Sequence, residues 1–100
     1  MKNIELKLGI LINTDINNKC YLNNFNILDT YKKIETNQYV KEISDSYEDI
    51  DNEINCFAED AATIKSCDSD FGKTSFYLVC YAIDAAGEVI KTKIIKDLFY

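Results

Sequence analysis

VKEISDSYEDIDNEINCFAEDAATI, residues 40 to 64, is the stretch on which the fold turns. Its apolar members Val40, Ile43, Tyr47, Ile50, Ile54, Phe57, Ala61 and Ile64 advance by steps of 3, 4, 3, 4, 3, 4 and 3. Such steps hold one stripe on one side of an α-helix, because side chains three and four positions apart share a face. The spacing predicts a helix of about 25 residues, roughly 38 Å long. Ser46, with Asp49 in capping-box position, marks a place where that helix is expected to break and start again. The same stripe would suit a coiled-coil seam. Strands at both ends of the chain offer it a sheet to cover instead.

Upstream, Ile4, Leu6, Leu8, Ile10 and Ile12 alternate, with Glu5 and Lys7 between them. Period two is that of a half-buried strand. NTDINN (Asn13 to Asn18) supplies turn residues, and a second strand from Lys19 to about Phe25 is expected to return from it as a hairpin. Ile27, Tyr31 and Ile34 then open a helical spacing that is interrupted at TNQ (Thr36 to Gln38). Downstream of the stripe, SCDSDFGK (Ser66 to Lys73) is a loop by composition. TSFYLVCYAI (Thr74 to Ile83) is dense in aromatic and β-branched residues on both faces, as a central strand requires. DAAGE (Asp84 to Glu88) provides a turn with Gly87, and VIKTKIIKDLF pairs back. The expected fold is α+β: an antiparallel sheet of about four strands, ββαββ-like, with one long or broken acidic helix on one face. At 100 residues and 47% apolar content, a single domain spanning 1–100 is anticipated.

The helix stripe leaves its acids pointing outward. From Glu42 to Asp60 there are eight acidic residues and no lysine. Glu42, Asp45, Asp49, Glu53 and Asp60 fall along one flank of the stripe, and Glu48, Asp51 and Glu59 along the other. From Glu42 to Asp70 ten acids face only Lys65, a local charge of −9, while the rest of the chain has seven acids and ten lysines, or +3. Like charges at i,i+4, as in Asp49 and Glu53, each cost a helix roughly 0.2–0.5 kcal/mol. A face of this kind keeps a protein soluble. It also steers association with a cationic partner.

Several functions lack their equipment. The chain has no histidine and no arginine, and its glycines are Gly9, Gly72 and Gly87. The usual general base, the usual phosphate clamp and a phosphate-cradling loop are therefore missing, so no catalysis and no cofactor are expected. A calcium loop starting at Asp45 or Asp49 would need glycine where Ile50 or Ile54 stands, so no metal site is expected. A net charge of −6 argues against direct contact with nucleic acid or an anionic membrane. No apolar run approaches the roughly 20 residues of a membrane helix. Cys20, Cys56, Cys67 and Cys80 show no CxxC spacing, and in a chain without an export signal they are expected as thiols, with a zinc site or a disulfide pair as the alternative. The expected localisation is cytoplasmic.

Tyrosines add interface character. Tyr31, Phe57 and Phe76 suit the core, while Tyr39, Tyr47, Tyr77, Tyr81 and Tyr100 are candidates for partial exposure. Together these features predict a non-catalytic acidic protein that binds and blocks a basic protein, of the type of an immunity protein or antitoxin neutralising a nucleic-acid-cleaving toxin. Its contact residues are expected to be Glu42, Asp45, Tyr47, Glu48, Asp49, Asp51, Glu53, Glu59 and Asp60. Two alternatives use the same physics: a phage or mobile-element inhibitor that mimics nucleic-acid charge, and a homo-oligomeric assembly subunit. Lys91, Lys93 and Lys96 on the last strand form a second charged surface, as edge guards or as partners for an acidic patch.

Overall fold

The computed structural model describes residues 3–16, 20–43, 46–68 and 73–99. In chain order the elements are β1 (Glu5–Asn13), β2 (Tyr21–Leu22), β3 (Phe25–Asn26), a short 3-10 turn (Ile27–Thr30), β4 (Lys32–Glu35), β5 (Gln38–Ile43), α1 (Tyr47–Ser66), β6 (Ser75–Ile83) and β7 (Val89–Asp97). One sheet has five strands in the order β4-β5-β1-β6-β7, every neighbouring pair antiparallel, and β2 with β3 forms a separate small ribbon. The fold is α+β, with α1 packed on one face of the sheet. The main sheet has five strands rather than about four.

Alternation along β1 sorts the two faces. Ile10 and Ile12 point toward α1 beside their cross-strand partners Leu78, Phe76 and Tyr39. Against them α1 sets Ile50, Ile54, Phe57, Ala61 and Ile64. Phe57 is the aromatic centre, edge-on to Tyr31 at 6.2 Å and to Phe76 at 5.5 Å. The other face carries a second cluster of Leu11, Val40, Val79 and Tyr81, ringed by Ile34, Tyr77, Ile83 and Val89. The Nζ of Lys32 on β4 donates to the carbonyl of Gly87 in the β6–β7 turn. Since β4 and β7 are opposite edges, that bond requires the sheet to curl over this second cluster, the normal consequence of strand twist. Gly9 is needed there: a Cβ on it would stand 2.7 Å from the Lys41 carbonyl oxygen and 2.7 Å from Cε1 of Tyr81.

Polar groups tie the helix end to the sheet. Asp68 is buried, and its Oδ2 accepts from the Thr74 amide at 2.9 Å and the Thr74 hydroxyl at 2.8 Å. The Thr74 hydroxyl has thus spent its proton, so it accepts from Thr14 across 2.8 Å. The same end is pinned covalently by a Cys20–Cys67 disulfide with a Cα separation of 5.6 Å. That bond corrects the expectation of four thiols: residues 47 positions apart meet because Cys20, just ahead of β2, is buried in the cluster under α1, its sulfur 3.6 Å from the Thr63 carbonyl oxygen near the helix's C-terminal end. Cys56 and Cys80 remain free.

Three further expectations change. Val40 and Ile43 belong to β5, so the helix spans 20 residues from Tyr47 rather than about 25 from Val40. Ser46 is the N-cap residue, with extended dihedrals and its carbonyl accepting from Ile50, although its hydroxyl makes no capping bond. The partner of β1 is β5, not the segment Lys19 to Phe25, which turns at Asn23 and Asn24, both at positive φ, and pairs with itself. The helical spacing of Ile27, Tyr31 and Ile34 resolves into the 3-10 turn and β4, which with β5 makes a hairpin around Thr36 and Asn37. The β6–β7 hairpin forms as expected, with Gly87 at φ 82 and Asp84 Oδ1 accepting from the amides of Ala86 and Glu88. The segments NTDINN and SCDSDFGK lie partly outside the described residues.

Candidate functional site

The exposed side of α1 is acidic because its apolar stripe is spent on the sheet. Glu48, Asp49, Asp51 and Glu59 are all exposed, and none of them forms an ion pair with a described lysine. From Glu48 to Glu59 the helix rises roughly 17 Å at about 1.5 Å per residue. Glu48 and Asp49 sit in the first turn, where the helix dipole favours negative charge. That offsets part of the repulsion among the acids. Lys65 occupies the last turn, the matching position for a cation.

Two of the expected acids are partly engaged. Glu53 and Asp60 lie half-buried on the flank nearest β5, around a shallow cavity of about 140 Å³ shared with Lys41, Cys56 and Ile43. Asp60 Oδ2 accepts from the Tyr31 hydroxyl at 3.0 Å. Burial pushes the Tyr31 phenol well above the ordinary tyrosine value, and the neighbouring Asp60 carboxylate pushes it further. The Lys41 ammonium lies 5.6 Å from the Tyr31 ring centre, so a cation, a ring and a carboxylate are stacked beside the helix. Sequence spacing carries no signal for that arrangement, since Tyr31 and Asp60 are 29 positions apart.

Glu42 does not belong to this face. It lies on β5 on the side of the sheet away from α1, with its Oε1 accepting from Lys7 at 2.8 Å. The hydrogen bond from Lys7 to Glu42 is the main reason the lysine's pKa is raised. Tyr81 nearby is raised by burial and then by Glu42. Strand alternation, not helical spacing, governs residue 42, which removes it from the acidic helix. Asp45 lies outside the described residues. Tyr47 opens α1, and its side chain is likewise outside what is described. Of the tyrosines expected to be partly exposed, Tyr39 and Tyr81 are buried and Tyr77 is half-buried. Tyr31, Phe57 and Phe76 are in the core, as expected.

The exposed acidic surface of α1 therefore comprises fewer residues than anticipated: Glu48, Asp49, Asp51 and Glu59, with Glu53 and Asp60 at its edge. Among the described residues no three His, Cys, Asp or Glu side chains come together as a metal site. No helix there is long and apolar enough to cross a membrane. No family model matches the chain, nor does any curated protein or solved structure, so the geometry alone supports a functional reading.

Proposed function

We propose that the protein is a non-catalytic inhibitor that binds a basic protein through α1, in the manner of an immunity protein or antitoxin that neutralises a nucleic-acid-cleaving toxin. The observation that carries this reading is the row of exposed carboxylates at Glu48, Asp49, Asp51 and Glu59 on a helix fixed to a sheet. A nuclease groove is cationic, because it has to hold phosphate. A rigid acidic ridge complements it in charge and loses little conformational freedom on docking. Cytoplasmic action fits an inhibitor that guards its own cell. The Cys20–Cys67 bond adds a condition, since disulfides persist mainly in oxidising compartments. In a reduced cytosol the pair would stand as thiols.

The test begins by recovering the tagged protein from its native cell at low salt and identifying what accompanies it. Association is then measured for the wild type and for a Glu48→Lys, Asp49→Lys, Asp51→Lys variant. Steering by this face predicts that the variant associates roughly 10 to 1,000 times more slowly. It also predicts a wild-type rate that falls steeply as salt shortens the Debye length below about 10 Å. A basic companion whose association rate at low salt is the same for both proteins would exclude the acidic face as the contact. Recovery without any companion would return that face to a solubility role.

A further inference from the structure

The flank of α1 turned toward β7 is built differently from the acidic one. Past Asp51 in its first half, this flank carries Ala58, Ala62 and Lys65, where the other flank carries Asp49, Glu53 and Asp60. The small side chains of Ala58 and Ala62 leave a cavity of about 430 Å³ between the helix and the ends of β6 and β7. Ala58, Ala61 and Ala62 form one wall and Phe76 and Phe99 another, with exposed Lys65 at the rim. Tyr77 and Asp97 also border the space. They pair with each other on the far side of the sheet, where Tyr77 packs on the second cluster, so they contribute main chain and the Asp97 carboxylate points away.

Three observations indicate what fits. The volume lies within the range of roughly 300–1,000 Å³ typical of small-molecule sites. Phe99 holds a left-handed φ of 56, uncommon for a bulky residue, and so keeps its ring stacked 5.9 Å from Phe57 while 47% of the residue stays exposed. The Leu98 amide, bonded to the Phe76 carbonyl at 2.8 Å, fixes the chain just before it. The cation lining the cavity is Lys65, and farther along β7 the same side of the sheet stays positive, since register sets Lys96 opposite Leu78, Lys93 opposite Cys80 and Lys91 opposite Ala82, all exposed. With the Asp97 carboxylate turned away, the cavity combines an apolar, ring-lined interior with one ammonium, that of Lys65, at its rim.

We infer that this cavity binds a small amphiphilic anion, an aromatic carboxylate or sulfonate, with its ring between the alanine wall and Phe76 and Phe99 and its anionic head at Lys65. The site is separate from the acidic face and does not depend on it. The test titrates the folded, oxidised protein with anilinonaphthalene sulfonate, and then displaces the dye with naphthoate. The expected result is a saturable fluorescence rise at one equivalent, reversed by naphthoate. Ala62→Phe, which fills the cavity from an exposed position, abolishes it. Lys65→Glu weakens it by roughly tenfold or more, the loss typical of a charge-assisted contact. Near-ultraviolet circular dichroism and melting of both variants, unchanged from wild type, show that the fold is retained. A fluorescence rise that survives Ala62→Phe, or no saturable rise at all, overturns the site. Undiminished binding to Lys65→Glu overturns the anionic assignment.

Discussion

Reducing the Cys20–Cys67 bond removes a constraint whose size follows from the fold. Cys20 is fully buried just ahead of β2, and Cys67 caps α1. The bond closes a loop spanning 47 positions. In the chain-entropy account, a loop of that length restricts the unfolded chain by about 4 kcal/mol at 25 °C. A domain of this size has a total stability of about 5–15 kcal/mol, so reduction removes a large share. With an unfolding entropy of about 2.1 cal/mol/K per residue, the same loss lowers Tm by roughly 20 °C. The Cys20 sulfur lies 3.6 Å from the Thr63 carbonyl oxygen, so the freed thiol has an acceptor within reach, which trims the cost slightly. Melting followed by circular dichroism, with and without a phosphine reductant, measures the shift. Thiol titration in denaturant is expected to find Cys56 and Cys80 alone before reduction and all four cysteines after it. Reduction that leaves Tm within a few degrees, or four titratable thiols at the outset, would refute the reasoning.

Other perturbations have definite signs. Gly9→Ala forces a methyl into the gap between the Lys41 carbonyl and the Tyr81 ring, and is expected to cost about 1–3 kcal/mol in urea unfolding; a neutral result would mean that β1 and β5 part easily. Phe57→Ala removes the ring that meets Tyr31, Phe76 and Phe99, and is expected to cost about 3–5 kcal/mol, measured the same way. Burial raises the phenols of Tyr31 and Tyr81 above the ordinary value of 10.0, so the folded chain keeps their protons to higher pH than the unfolded chain does. Their contribution is complete below that value and is lost as pH climbs past it. Tyr31→Phe should therefore flatten the alkaline fall in stability, and an unchanged slope would count against the Tyr31 assignment.

The parts of the fold legible in the sequence are those whose period has one explanation. The alternation from Ile4 to Ile12 locates β1 (Glu5–Asn13), although Ile4 and Leu6 are exposed and Gly9 and Leu11 are buried, so the strand is central rather than half-buried. The doubly apolar TSFYLVCYAI forms β6, which is buried toward both faces. Val40 and Ile43 misled because a strand ending just before a helix can continue the helical steps by coincidence. Tyr39 and Ile43 are both buried toward α1 with Lys41 between them, a period of two that the longer stripe concealed. Glu42 went astray with them. The acidic row from Glu48 to Glu59 was legible because it depends only on helical geometry. The disulfide, the Tyr31–Asp60 bond and the alanine-walled cavity were not, since each depends on how distant segments dock.

Segregation of charge around α1 bears on both proposals. Solubility asks only for enough exposed charge, and acids scattered on every outward position would supply it. Here one flank has Asp49, Glu53 and Asp60, while the opposite flank has Asp51 near its start and then Ala58, Ala62 and Lys65 beside the end of β7. Concentrating the acids costs repulsion at i,i+4 spacing that dispersal would avoid. A cost of that kind persists more readily where it serves recognition. The two flanks also make opposite demands on a ligand, so one reagent separates them. A polycation should protect α1 near Glu48 to Glu59 without touching Ala62, and an aromatic sulfonate should shift Ala62 while leaving Glu48 unmoved. Amide shifts from both reagents converging on one flank would mean that the helix has a single binding surface, and one of the two assignments would have to be abandoned.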